Sequence, residues 1–332
     1  MYRFLLAAFC AAAYGAPCVH AIAGCTEFVT LAGGPSRGLI YRTYSLETRN
    51  DAITRALVIV HGTNRDADNY FRTAVAAAFL GDALENTVVI APRIASADRG
   101  CHDTLALNEV SWSCAGSDSW RSGGAAASDS QLTSFDFMDE ILRKLARKQA
   151  FPNLRAIVVG GHSAGGQFVT RYEMSNRIHE TLGIPVSYVV ANPSSYAWPE
   201  TMRPVVDGDK IVFRNFDDAR NCTTYDRWPY GMENRTGYAS KLSDDQLRRQ
   251  LVSRPTTYLL GEIDILPLGG FDTSCPAMAQ GPTRRARGEA FAKLVDERFG
   301  ARQKVEIVHL CGHNARCMFT SEEALPVLFP KP

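Results

Sequence analysis

Short apolar runs rich in β-branched residues alternate, along most of the chain, with segments whose apolar residues recur at three- and four-residue intervals. The runs predict strands over Glu27 to Leu31, Leu39 to Leu46, Ala56 to Val60, Val88 to Ala91, Ala156 to Gly160, Ser187 to Ala191, Thr256 to Leu260 and Val305 to Leu310. The helical spacing predicts helices at about Asn69 to Leu80, Ser134 to Lys148, Ala164 to Leu182 and Arg284 to Phe299. Strands that alternate with helices of this length build a mostly parallel sheet covered on both faces, and eight such strands fit one α/β domain. No internal repeat or low-complexity tract interrupts the pattern.

Two connections are far longer than the usual few residues between a strand and a helix. Pro92 to Thr133 links a strand to a helix, and residues 193–254 form an insertion or cap region between the sixth and seventh strands. Both are aromatic. Trp112 and Trp120 in the first, and Tyr196 and Trp198 in the second, are the expected substrate-wall residues, with Tyr225, Trp228 and Tyr230 nearby in sequence. Rings that merely pack a loop onto the body would give the same pattern.

Composition narrows the class. The 332 residues are 45% hydrophobic, enough for one large core, and a formal charge of +1 gives no footprint for nucleic acid. Outside the N-terminus no apolar run reaches the roughly 18 to 20 residues that span a bilayer. The first 23 residues read as a signal peptide: Arg3 precedes the apolar stretch Phe4 to Ala13, and Ala21-Ile22-Ala23 has the small-x-small form of a cleavage site. The catalytic domain is then expected over 25–332, secreted or periplasmic. Nine cysteines suit an oxidising compartment. Cleavage after Ala23 would leave an odd number, with Cys25 at the new terminus; Ile22-Ala23-Gly24-Cys25 resembles a lipobox, whose cysteine carries a lipid anchor, whereas cleavage further upstream would let Cys18 pair with Cys25. Short separations favour Cys101 with Cys114 and Cys311 with Cys317, leaving Cys222 for Cys275. No C-x-x-C pair or His/Cys cluster has zinc-ligand spacing, so no metal is expected.

The chemistry concentrates in Gly160-Gly161-His162-Ser163-Ala164-Gly165-Gly166, between the apolar run Ala156 to Val159 and a helical segment. G-x-S-x-G in that setting is a nucleophile elbow. A sharp strand-to-helix turn holds its central residue in strained geometry, and side chains two positions to either side would strike neighbouring backbone; hence Gly161 and Gly165. Ser163 Oγ then stands above the sheet beside the first amides of a helix, where a developing oxyanion is stabilised.

Here the chain resembles the α/β-hydrolase superfamily, from about Leu39 to Leu328. Val58-Ile59-Val60-His61-Gly62-Thr63-Asn64 looks like the superfamily's third-strand end and H-G loop, which implies that the amides of Thr63 and Ala164 form an oxyanion hole, with His61 structural. The chain order Ser, acid, His implies Asp264 as the orienting acid after the seventh strand, ahead of Glu262 and Asp272. It implies His313, in the loop beyond the last strand, as general base, ahead of His309. His162 matches a common elbow variant and is expected to pack. The disulfide-bearing body and the G-H-S-A-G-G elbow look most like polyhydroxyalkanoate depolymerases, feruloyl esterases and acetyl xylan esterases. The resemblance therefore implies a carboxylic ester hydrolase with a small-molecule or polymeric ester substrate, working through an acyl-enzyme without metal or organic cofactor. A peptidase or amidase would need the same residues, and a catalytically silent relative is the remaining alternative.

Overall fold

The computed structural model describes residues 15–331. The apolar stretch expected to lead a signal peptide lies outside the described residues. Among the described residues ten strands form: β1 (Thr26–Thr30), β2 (Arg37–Arg42), β3 (Arg55–Val60), β4 (Thr87–Arg93), β5 (Ala156–His162), β6 (Val186–Ala191), β7 (Met202–Asp207), β8 (Lys210–Asn215), β9 (Thr256–Gly261) and β10 (Lys304–Val308). The α-helices are α1 (Ala67–Leu80), α2 (Ser134–Leu145), α3 (Ala164–Ser175), α4 (Asp244–Ser253), α5 (Cys275–Met278), α6 (Arg284–Phe299), α7 (Ala315–Phe319) and α8 (Leu325–Leu328).

Eight strands make one sheet in the order β1-β2-β4-β3-β5-β6-β9-β10. β1 pairs antiparallel with β2, and β2 antiparallel with β4; every later neighbour is parallel. The central strands read as continuous apolar runs because both faces are covered, β3 being buried from Ala56 to Val60. Alternate residues of a strand point to opposite faces, so Val58 and Val60 join a core with α2 and α3 on one side. Leu57 and Ile59 join a second core with α1 and the C-terminal helices on the other.

The eight expected strands all form, with ends displaced by local chemistry. β10 stops at Val308 because Leu310 turns with φ +55°, and His309, the lesser base candidate, is exposed beside Glu262. α3 ends at Ser175, not Leu182, because the Asn176 side chain accepts the N–H groups of Ile178 and His179 and draws the chain into a turn. In the 193–254 insertion, β7 and β8 form a hairpin whose two-residue turn is Gly208-Asp209, with Gly208 at φ +61°. A glycine opening a two-residue turn is a hairpin signal.

The disulfides are Cys101–Cys114, Cys222–Cys275, Cys311–Cys317 and Cys18–Cys25. The last corrects the lipid-anchor expectation. Cys25 is buried and its sulfur is bonded to Cys18, so no thiol is left there to acylate. Cys18 also donates its N–H to Thr43 O, which ties this segment to the body of the fold.

The insertion is clamped to the helices by a buried carboxylate. Asp139 on α2 accepts Tyr172 O–H from α3 at 2.7 Å and Tyr238 O–H from the insertion at 2.8 Å. Burial raises its pKa to about 6, so the folded chain holds a proton there between about pH 4 and 6 that an unfolded chain has lost. The native state therefore binds more protons in that window, and stability falls as pH rises through it. From pH 5 to pH 7, urea titrations should show the wild type losing roughly 1 kcal/mol relative to Asp139→Asn, with no such difference if the carboxyl is already ionised at pH 5.

Candidate active site

β5 runs into α3 through a single residue, Ser163, at φ +58° and ψ −119°. That conformation is strained for any residue with a side chain, and it persists only if its surroundings enforce it. The three flanking glycines show what does so. A Cβ on Gly161 would lie 2.3 Å from the Gly165 carbonyl oxygen, one on Gly165 would lie 2.1 Å from Val60 O, and one on Gly166 would lie 2.7 Å from Ala191 O. The turn is thus wedged between the ends of β3 and β6, where the sequence places no side chains. The Ser163 N–H is held by Ala191 O at 2.9 Å, leaving the hydroxyl as the group that projects.

His313 reaches this hydroxyl from the loop after β10. Its Nε2 lies 2.9 Å from Ser163 Oγ, and its Nδ1 lies 2.9 Å from Asp264 Oδ2, in the loop after β9. The other acid and base candidates stand elsewhere. Glu262 accepts the Leu310 N–H, and Asp272 accepts Tyr230 O–H. Asp264 is 3% exposed, and such a carboxylate needs partners. Its Oδ1 lies 3.4 Å from the guanidinium of Arg284, which is fully buried and also donates to Ser194 Oγ and Gly269 O.

Arg284 was not foreseen from sequence, although a signal existed. Arg284, Arg285 and Arg287 crowd the first turn of α6, where the helix dipole disfavours cations. Positive charge at that end implies a buried acid nearby. Asn192 was also missed. It occupies the left-handed region at φ +44°, accepts the Gly261 N–H and donates to Gly312 O, bridging the end of β9 to the loop of His313.

Two further histidines, His61 and His162, are buried beside the site. His61 is buried, donates through Nδ1 to Gly62 O, accepts the Ile94 N–H through Nε2, and packs edge-on against Trp120. Burial lowers its pKa to about 4, so it stays neutral. His162 lies under His313 with ring centroids 4.6 Å apart and shares a hydrogen bond with Tyr70 O–H. Burial, and then its neighbour His313, hold its pKa well below the usual range, so the ring beneath His313 carries no opposing charge.

Thr63 sits in the loop after β3. A Cβ on Gly62 would lie 3.9 Å from Ser163 Cβ, which brings this loop against the elbow. Ala164 opens α3, where first-turn amides have no intrahelical partner. The aromatic expectations are corrected. Trp112, Trp120, Tyr196 and Trp198 are each at most 2% exposed. Trp112 stacks on Phe137 and Tyr196 on Phe291, so they pack long loops onto the body and line no open wall.

Solved structures share the fold, among them the following two. The LpqC poly(3-hydroxybutyrate) depolymerase from Bordetella parapertussis superposes with a TM-score of 0.59 at 20% identity, covering 90% of this chain and 85% of that one. Poly(aspartic acid) hydrolase-1 from Sphingomonas sp. KT-1 gives 0.61 at 20% identity, covering 88% and 94%. The chain has the α/β-hydrolase fold. No family model matches the sequence, and no curated protein does. Within the α/β-hydrolase fold, the groups gathered here all leave the C-terminal ends of parallel strands, the edge at which open sheets bind ligands.

The elbow makes a direct stability test. Gly165→Ala forces a methyl group into the Val60 carbonyl and should cost about 2 to 4 kcal/mol, read as a lower melting temperature. Ser163→Gly, which relieves the positive φ, should retain or raise it. Equal melting temperatures for wild type and Gly165→Ala would refute the steric account.

Proposed function

We propose that this protein is a serine hydrolase of carboxylic esters, with Ser163 as nucleophile, His313 as general base and Asp264 as orienting acid. The single observation behind this reading is the unbroken chain Ser163 Oγ, His313, Asp264, with 2.9 Å at each hydrogen bond. In the proposed reaction His313 Nε2 takes the Ser163 proton as Oγ attacks the ester carbonyl. Asp264 holds the Nδ1 proton and stabilises the imidazolium, while Arg284 keeps the carboxylate oriented. The amides of Thr63 and Ala164 receive the oxyanion. The C–O bond to the alcohol breaks as His313 returns the proton to the leaving oxygen. Water, activated by the same imidazole, then hydrolyses the acyl-enzyme to the free acid and regenerates Ser163.

The exposed aliphatic side chains of Ile263, Ile265, Leu266 and Leu268 flank Asp264 and supply an apolar rim for the substrate, in place of the buried rings. The 193–254 segment, with its hairpin and α4, completes the catalytic domain as an insertion on the body. Secretion to the periplasm or beyond fits the disulfides, which form and persist in oxidising compartments. Cleavage upstream of Cys18 is the processing that fits the Cys18–Cys25 bond. Among the described residues no helix is long and apolar enough to cross a membrane. Amide cleavage would use the same atoms, and a solved neighbour named as a poly(aspartic acid) hydrolase keeps that reading in the test.

A fluorophosphonate probe should label the wild type and fail on Ser163→Ala. Hydrolysis of short p-nitrophenyl esters should drop by roughly three to six orders of magnitude in Ser163→Ala or His313→Ala, and by about four in Asp264→Asn. Faster turnover of peptide anilides than of esters would reassign the protein as an amidase. Absence of both labelling and turnover would leave a silent fold.

A further inference from the structure

A polar cavity of about 390 Å³ opens beside the proposed nucleophile, lined by Arg121, Gln167, Arg171, Ser195, Tyr230 and Asp272 among others. It adjoins the site at three points. Gln167 stands one helical turn beyond Ser163 on α3 and donates its N–H to Ser163 O, which places it about 5 to 6 Å along the helix axis. Ser194, also in the wall, accepts from Arg284, the partner of Asp264. Gly270 in the wall lies over Thr63, where a Cβ would come within 3.7 Å of the Thr63 methyl.

The charges around this cavity do not balance locally. Arg171 is 1% exposed, yet all its hydrogen bonds go to neutral oxygens: Pro229 O, Arg121 O, Gln167 O and Ser195 Oγ. No carboxylate forms an ion pair with it among the described residues. Arg121 is half-buried in the same wall; its Nε donates to Ser119 Oγ, and among the described residues its two terminal nitrogens have no partner. Each guanidinium lies within the electrostatic reach of the other. Asp272 is the acid that faces them, and its oxygens are already engaged by Tyr230 O–H and the Ser274 N–H. Arg287, stacked over Phe271 and donating to Ser194 O, adds a further cation within reach of Asp272. A buried cation without an anionic partner is costly to keep. A fixed guanidinium pair with free donors is suited to a planar carboxylate, which two parallel N–H groups can hold at once.

We propose that this cavity is a carboxylate subsite, and that the preferred substrates are esters bearing a second, ionised carboxyl group a short chain away from the scissile carbonyl. Resting on the ester-hydrolase reading, the inference narrows its substrate class. Arg121 receives the carboxylate at the mouth, Arg171 supplies fixed positive charge beneath it, and Gln167 and Ser195 set its distance from Ser163. Asp272 opposes a second negative charge in the same cavity, which favours a single carboxylate over a denser anion.

The test compares kcat/KM for ionised esters with that for neutral partners of similar length. Mono-p-nitrophenyl glutarate is paired with p-nitrophenyl pentanoate for the acyl side, and 4-acetoxybutanoate with butyl acetate for the alcohol side. The wild type should favour the ionised member of at least one pair by about tenfold, as one charge-assisted contact provides. Arg121→Gln should bring that ratio close to unity, and Arg121→Lys should retain part of it. A ratio measured within each variant is unaffected by any inactive fraction. Binding of glutarate to Ser163→Ala, followed by calorimetry and lost on adding Arg121→Gln, reads the subsite without catalysis. A ratio at or below one in both pairs, a preference indifferent to Arg121, or glutarate binding that is absent or indifferent to Arg121 overturns the subsite. Arg121-dependent glutarate binding by a protein that hydrolyses no ester overturns the ester-hydrolase reading while leaving the subsite in place.

Discussion

The structure depends first on how closely its backbones approach one another at the elbow. Carbonyl oxygens of β3, β6 and the first turn of α3 occupy the space that side chains at three glycines would need. That contact sets the position of α3 relative to the sheet, and through α3 it sets Ser163, Gln167 and Arg171. The strained backbone of Ser163 is over-determined by these neighbours, as stored strain at a functional turn must be. A methyl group there would disturb the spacing of the central strands as well as one side chain.

Electrostatics then act on a framework already fixed by sterics. Asp264 lies between an imidazole and a buried guanidinium, so one oxygen is committed to each. Arg284 also holds Ser194 and Gly269, which links the acid loop, the end of β6 and the start of α6 in one cluster. Removing one partner of a buried pair leaves the other uncompensated. His162 contributes by staying uncharged, since a cation stacked beneath His313 would oppose the imidazolium that the proposed reaction requires.

The sheet, the elbow and the order of the proposed triad were legible in the sequence because each depends on local rules: strand runs, glycine at positions that admit no Cβ, and a histidine in a loop just past the last strand. The short-range cysteine pairs were legible for the same reason. Arg284 and Asn192 were hidden because their roles exist only after distant loops meet. The arginines at the start of α6 call for an acid, but Asp264, twenty residues upstream in the chain, is identified as that acid only when the two loops meet. The buried rings of Trp112, Trp120, Tyr196 and Trp198 misled for a related reason. Aromatic residues in long loops report that the loop is ordered, and say nothing about which side of it faces water. The β7–β8 hairpin was written in Gly208, but within an insertion whose overall length obscured the turn.

The Cys311–Cys317 bond spans six residues and encloses the loop that carries His313. The position of the proposed base is therefore set partly by sulfur chemistry, whereas Ser163 is set by backbone packing and hydrogen bonding. Oxidation of that one pair of thiols therefore adds to the imidazole's loop a covalent brace that the serine's turn does not share.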